Sequence, residues 1–266
     1  MTSPRNSRFV SFLCVTACLI LAGCGTQENA NELVVGMELA YPPFEMTDES
    51  NEPAGVSVEL AKALAADLGK ELRIENIPFA GLIPALKTGK IDLIISSMTR
   101  TEERAQSIAF SDPYLTTGLC ALVSKDVDAQ SIDDLDKSGR RIAVKQGTTG
   151  HIYANDRIRE ARVLLFEKEA AATLEVAQGK VDAFIYDQMS TYMNWKKHSQ
   201  TTRPLLEPFK SESWAIGLRQ GDDAIRTEVN QFLERFKADG GFDRLGDRFL
   251  SEQKQAFERL GYPFFF

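Results

Sequence analysis

Histidine is scarce in this chain, with two residues among 266, and the four cysteines are unevenly placed: Cys14, Cys18 and Cys24 crowd the start, leaving Cys120 alone beyond them. His151 and His198 stand at no metal-ligand spacing, so no zinc or similar centre is expected. Cys120 lies inside the apolar run Leu119 to Val123 and reads as a small buried hydrophobe rather than a reactive thiol. Long hydrophobic runs are also missing. The longest apolar stretch, Phe9 to Leu21, is broken by Ser11, Cys14, Thr16 and Cys18, and is too short for a span of about 20 residues. With Arg5 and Arg8 ahead of it, it has the form of a secretory signal covering residues 1–23. Positive charge is in deficit, with 31 Lys and Arg against 38 Asp and Glu, and loss of Arg5 and Arg8 with the signal widens the gap. That argues against nucleic acid and against adhesion to anionic headgroups. No nucleophile elbow, P-loop, dinucleotide fingerprint or zinc motif is found.

What is present is ordinary in bulk: 43% hydrophobic and 26% charged residues, enough for one large domain or two smaller ones. Leu21-Ala22-Gly23-Cys24 resembles the lipobox of bacterial lipoproteins, in which the cysteine is acylated and becomes the first mature residue. On that resemblance Cys24 is lipidated, residues 24–31 form a tether, and the folded part stays in water at a membrane, periplasmic or on the cell surface. Without an intrachain disulfide in the mature chain, such an exported protein rests on its core.

Between residues 31 and 250 strands and helices alternate without a low-complexity linker. Leu33 to Gly36 reads as a strand, Ser57 to Leu68 as a helix stopped by Gly69, Leu72 to Ile77 as a strand, Leu82 to Thr88 as a helix stopped by Gly89, and Ile91 to Ile95 as a buried strand. The rhythm restarts with strand Arg141 to Lys145, a helix from Gly150, strand Arg162 to Phe166, helix Glu169 to Gln178 and strand Val181 to Tyr186. A strand from Trp214 to Arg219 precedes a long amphipathic helix, Asp222 to Ala238, and a further helix from Phe242 to Leu250. The segments "LIPALKTGKIDLIIS" and "TLEVAQGKVDAFIYD" repeat one pattern: helix, Gly-Lys stop, β-branched residue, aspartate, apolar strand. Two such units predict an α/β fold with two Rossmann-like lobes.

Ligands of parallel sheets bind beyond the carboxyl ends of the strands. At those ends stand Glu38 and Tyr41, then Ser96, Ser97, Thr99 and Arg104, and in the second unit Thr149 and Asp187. Arg104 offers a two-pronged clamp for a carboxylate and Asp187 an acceptor for an ammonium, which together describe a site for a zwitterion. Each residue also has a plainer role: Arg104 as a solvated first-turn side chain, Ser96 and Ser97 as strand terminators, Asp187 as a helix cap, and Tyr41 and Phe79 as core.

"YPPFE", "FAGLIPALKTGKIDLIISSMTRTEER", "FSDPY", "QGTTG" and "WAIGLRQGD" together resemble the amino-acid-binding proteins of bacterial ABC importers, the type II periplasmic binding proteins of solute-binding family 3. The resemblance runs in order from about Leu33 to Leu250. It implies that Arg104 grips a ligand carboxylate with Ser97 and Thr99, that Thr149 adds a donor, and that Asp187 holds the α-ammonium. Glu38, Tyr41, Ser96 and Phe79 would surround the side chain. Two departures bear on specificity: Ala80 stands where many relatives carry aspartate, and Gly150 where they carry a longer polar residue. The same resemblance implies lobe 1 from residues 32–116 plus 218–266, lobe 2 from 117–217, and hinge strands near Thr116 to Gly118 and Pro208 to Trp214. It implies no cofactor, a monomer, and a membrane permease as partner. Glu38 with the aromatic faces of Tyr41 and Phe79 suits arginine or lysine. A glutamine-type ligand is the alternative, and a cyclohexadienyl dehydratase on the same cleft, with Glu38 as general acid, is the enzymatic one.

Overall fold

Asp92 and Asp182 perform the same local task in two different sheets, which is the physical content of the sequence repeat. The Asp92 carboxylate accepts the Val34 amide at 2.9 Å and the Asp182 carboxylate accepts the Arg141 amide at 2.6 Å. Each thereby ties the start of its own strand to the neighbouring parallel strand. The preceding glycines, Gly89 and Gly179, both adopt left-handed backbone at φ 75 and 69, which ends the helix and turns the chain toward that strand.

The computed structural model describes Met1 and residues 31–264, so the signal segment and Cys24 lie outside the described residues. Two five-stranded sheets form the frame. In the first, Glu71–Asn76, Glu32–Met37 and Leu93–Ile94 run parallel, and Gly217–Leu218 joins antiparallel between Leu93–Ile94 and Ala109–Phe110. In the second, Arg162–Phe166, Arg141–Lys145 and Ala183–Asp187 are parallel, followed by the antiparallel strands Leu115–Ser124 and Thr202–Trp214. The inner parallel strands Glu32–Met37, Leu93–Ile94 and Ala183–Asp187 are buried along nearly all their length because helices cover both faces, whereas the edge strands Glu71–Asn76 and Arg162–Phe166 are partly exposed. Val56–Asp67 and Phe79–Lys87 pack on the first sheet, and Thr149–Arg157 and Glu169–Ala177 on the second. Leu33, Val35, Leu60, Leu64 and Leu93 belong to one apolar cluster, which also takes in Met189, Tyr192 and Leu206, and Leu119, Ile142, Val144 and Ile185 belong to another. Fully burying a side chain of that size stabilises by roughly 1.5–3 kcal/mol. Cys120 is buried among them and is a free thiol.

Two long strands connect the lobes. Trp214 pairs with Leu115, Glu212 with Thr117 and Lys210 with Leu119, and the register then breaks between Leu205 and Lys210. The expected strand from Trp214 to Arg219 is corrected here. Trp214 ends the long Thr202–Trp214 strand of the second sheet, and Gly217–Leu218 belongs to the first, so the chain passes between lobes inside one apolar run. The expected strand Ile91 to Ile95 contracts to Leu93–Ile94 in the ladder, although Asp92 and Ile95 still donate to the carbonyls of Val34 and Gly36.

A small sheet of Ala40–Tyr41, Glu45–Thr47 and Pro53–Ala54 was not legible in the sequence pattern, because strands this short show no period. It folds the "YPPFE" segment over the start of the Val56–Asp67 helix. The carbonyls of Pro43 and Phe44 accept the first helical amides, Val56 and Ser57. Gly55 makes this possible: at φ 115, a Cβ there would lie 2.4 Å from the Phe44 carbonyl oxygen. At the other end of the chain Phe264 packs edge-on against Phe257, with centroids 6.3 Å apart. Among the described residues no helix is long and apolar enough to cross a membrane.

Candidate functional site

The strand ends of the first sheet are stitched together before any ligand contact arises. The Glu38 amide donates to the Ser96 hydroxyl at 3.0 Å, joining the ends of two parallel strands. Ser97 then turns the chain with φ 49, a left-handed backbone that side-chain-bearing residues seldom adopt. Its hydroxyl donates to Glu45 at 2.9 Å. Glu45 is 1% exposed, and burial pushes its carboxyl up to about 8, with hydrogen bonds from Ser57 and Ser97 pulling the other way.

Arg104 settles between its two readings by burial, being only 6% exposed. Thr101 caps its short helix by accepting the Arg104 amide at 3.1 Å. The guanidinium folds back to donate to the Thr99 carbonyl at 2.6 Å and reaches into the second lobe to donate to the Gly147 carbonyl at 2.9 Å. It stands 5.4 Å from the centroid of the Phe79 ring. Burial lowers its pKa to about 10, so it remains a cation at neutral pH.

From the second lobe, Asp187 both caps a helix and faces the cleft. It accepts the Ser190 amide at 3.0 Å and the Tyr41 hydroxyl at 2.6 Å, the latter from the opposite lobe. Burial raises its carboxyl to about 6, so it is largely ionised at pH 7. Behind it, Glu169 accepts from Ser190 and Asn194 and is pushed up to about 7 by its own burial. Thr148 caps the helix Thr149–Arg157, which places the Thr149 hydroxyl toward Glu212 at 3.0 Å. Gly150 is required by packing, since a Cβ there would lie 2.7 Å from the Ile185 carbonyl oxygen. The longer polar residue of relatives has no room in this chain.

All of the side chains singled out from sequence, Glu38, Tyr41, Phe79, Ser96, Ser97, Thr99, Arg104, Thr149 and Asp187, line one cavity. It holds about 440 Å³ of non-atom space, counting the open solvent at its mouth. Glu45, Leu119, Thr148, Tyr186, Glu212 and Trp214 complete the wall. Tyr41, Phe44 and Trp214 form one aromatic cluster, with Phe44 and Trp214 4.8 Å apart and Tyr41 stacked on Phe44 at 5.3 Å.

Three residues that the sequence reading passed over alter the electrostatics. Lys145, at 2% exposure, forms an ion pair with Glu38 and lies 5.7 Å from the Phe79 centroid. The visible signal was a charge ending the apolar strand "RIAVK", at the end of the sheet where ligands bind. Glu45 stands in the "YPPFE" segment, where nothing local distinguishes it from a surface carboxylate. Glu212 sits in the polar stretch Lys210 to Ser213 of the hinge strand and accepts from both Thr99 and Thr149. The hydroxyls of Ser97 and Thr99, expected to serve a ligand carboxylate with Arg104, are thus turned to Glu45 and Glu212.

The chain is similar to known proteins along nearly their whole length. The chain is 28% identical over 243 residues to ABC transporter arginine-binding protein 1 of Escherichia coli K12, covering 90% of this chain and 98% of that protein. It is 28% identical over 267 residues to the ABC transporter glutamine-binding protein GlnH of Bacillus subtilis 168, covering 91% and 96%. Among solved structures, the ancestral amino-acid-binding protein AncCDT-1, described as a precursor of cyclohexadienyl dehydratase, superposes with a TM-score of 0.76 at 35% identity, over 82% of this chain and 95% of that one. Residues 33–252 match the family of bacterial extracellular solute-binding proteins, family 3, and with two α/β lobes closing on a cavity of opposed charges, the chain belongs to that family.

Proposed function

We propose that this protein is the substrate-binding component of an ABC amino-acid importer, tethered to a membrane through a lipidated Cys24, and that it captures a polar or basic L-amino acid, with arginine and lysine favoured. The observation that carries the reading is that Arg104 from one lobe and Asp187 from the other line the same cavity. A guanidinium and a carboxylate facing one space complement the carboxylate and ammonium of an amino acid.

The preference for a basic side chain rests on the charge of the whole cavity. Glu38 alone is not a free anion, because Lys145 neutralises it. Glu38, Asp187 and Glu212 bring three carboxyl groups against the cations Lys145 and Arg104, and although burial works against the charged form of Glu212, the site is richer in acidic than in basic groups. That imbalance suits a ligand with a cationic side chain better than a neutral zwitterion. Tyr41, Tyr186, Phe79 and Trp214 add aromatic faces. The same ion pair supports the second reading, a glutamine-type amide that donates to Glu38 and accepts from Lys145.

Capture would proceed by closure about the strands near Thr116 to Gly118 and Pro208 to Trp214, with lobe 1 formed by residues 32–116 and 218–266 and lobe 2 by 117–217. The closed form is then what the permease recognises. A thermal-shift screen of the protein against the twenty L-amino acids tests the assignment, since a ligand at 100 times its Kd adds about 2.7 kcal/mol of stability. Arginine or lysine giving the largest shift supports it, and glutamine giving the largest favours the second reading. Turnover of prephenate or arogenate, with no amino-acid shift, would replace both with the dehydratase.

A further inference from the structure

Glu212 treats its two carboxylate oxygens differently. Oε2 accepts from the Thr99 hydroxyl at 3.2 Å and the Thr149 hydroxyl at 3.0 Å, one donor from each lobe. Oε1 is buried and has no partner among the described residues. The side chain is 6% exposed and lines the cavity shared by Arg104 and Asp187. The paired hydroxyls fix the carboxylate, so Oε1 is a preorganised acceptor awaiting a donor.

The chemistry of that donor follows from the neighbours. A ligand carboxylate on the Thr99 and Thr149 hydroxyls would meet the like charge of Glu212 at contact distance, so these hydroxyls orient Glu212 and leave a ligand carboxylate to Arg104. Asp187 already accepts at Oδ1 from Tyr41 and Ser190. Asp187 and Glu212 act on one another electrostatically; Lys210 and Arg104 act on Glu212 without an ion pair, so no cation among the described residues sits in contact with either carboxylate. Two carboxylates facing one space are reconciled by a cation placed between them. We propose that Glu212 and Asp187 together form a two-carboxylate seat for the ligand's α-ammonium, making Glu212 a specificity-determining residue that demands a free, charged amine.

The inference rests on reading the cavity as an amino-acid site. Titration calorimetry of wild type, Glu212→Gln and Thr149→Val with L-arginine and L-glutamine, each beside its Nα-acetyl derivative, tests it. Whichever free amino acid binds wild type should bind Glu212→Gln about 30-fold or more weakly, and Thr149→Val a few-fold more weakly, as expected for loss of a buried charged contact and of its orienting group. The acetylated form, which has no ammonium, should bind wild type weakly and Glu212→Gln no worse. Thermal unfolding of each variant confirms that it is folded, and Thr149→Val decides the matter if Glu212→Gln is not. Undiminished binding of the free amino acid by the folded variants overturns the seat while leaving the amino-acid reading intact. Failure of wild type to bind any of the twenty L-amino acids overturns that reading, and the seat with it.

Discussion

Lys145 of the second lobe closes an ion pair on Glu38 of the first, and the lysine side chain is almost wholly buried in doing so. The pair spans 107 positions in sequence and joins the ends of two strands from different sheets. Breaking a buried pair by removing one partner costs about 3–5 kcal/mol, because the remaining charge is stranded. Lys145→Met should therefore destabilise the free protein by about that much in urea unfolding. The double variant Glu38→Gln with Lys145→Met should recover most of the loss.

The same substitution should alter ligand choice. With Lys145 gone, Glu38 is a half-buried anion without its ion-pair partner, and a cationic side chain becomes its strongest one. Competition calorimetry should show the arginine-to-glutamine affinity ratio rising about tenfold or more in Lys145→Met, a change of about 1.4 kcal/mol. A ratio that stays constant would mean that the Glu38 and Lys145 end of the cavity does not meet the ligand side chain.

Glu45 should make stability depend on pH in an unusual direction. Burial raises its carboxyl from the ordinary glutamate range to about 8, so between those values the folded protein holds a proton that the unfolded chain has lost. Stability therefore falls as pH rises through that window. Glu169, at about 7, and Asp187, at about 6, act with the same sign over narrower ranges. At about 1.4 kcal/mol per unit, wild type should lose a few kcal/mol between pH 5 and 8 that Glu45→Gln retains. Parallel melting curves across that range check the difference; identical slopes would show Glu45 ionised in the fold.

Gly150→Ala should destabilise by about 1–3 kcal/mol through overpacking alone, because its Cβ would press on the Ile185 carbonyl at the start of the helix that carries Thr149. Calorimetric melting gives the value. An unchanged Tm would show that the strand and helix can separate there without cost.

The sequence was most readable where apolar runs end in glycine. The Val56–Asp67 and Glu169–Ala177 helices, followed by Gly69 and Gly179, fall within a residue of expectation at each end because period and stop signal agree. The candidate site was readable for a topological reason: side chains at the carboxyl ends of parallel strands converge wherever the sheets face one another. What escaped was pairing. Lys145 looks like the polar end of a strand until Glu38 arrives from the other sheet, and Glu212 looks like a solvated hinge residue until Thr99 and Thr149 close on it. Local pattern carries no information about such partners, and they decide which charges are left for a ligand.

The central claim is that one guanidinium and one carboxylate, on opposite lobes, trap a dipolar amino acid. Titration of L-arginine into wild type, Arg104→Ala and Asp187→Asn tests it most directly. Each variant should lose about 2–5 kcal/mol of binding, a weakening of about 30-fold or more. Retention of near-wild-type affinity for L-arginine in either folded variant would contradict the account.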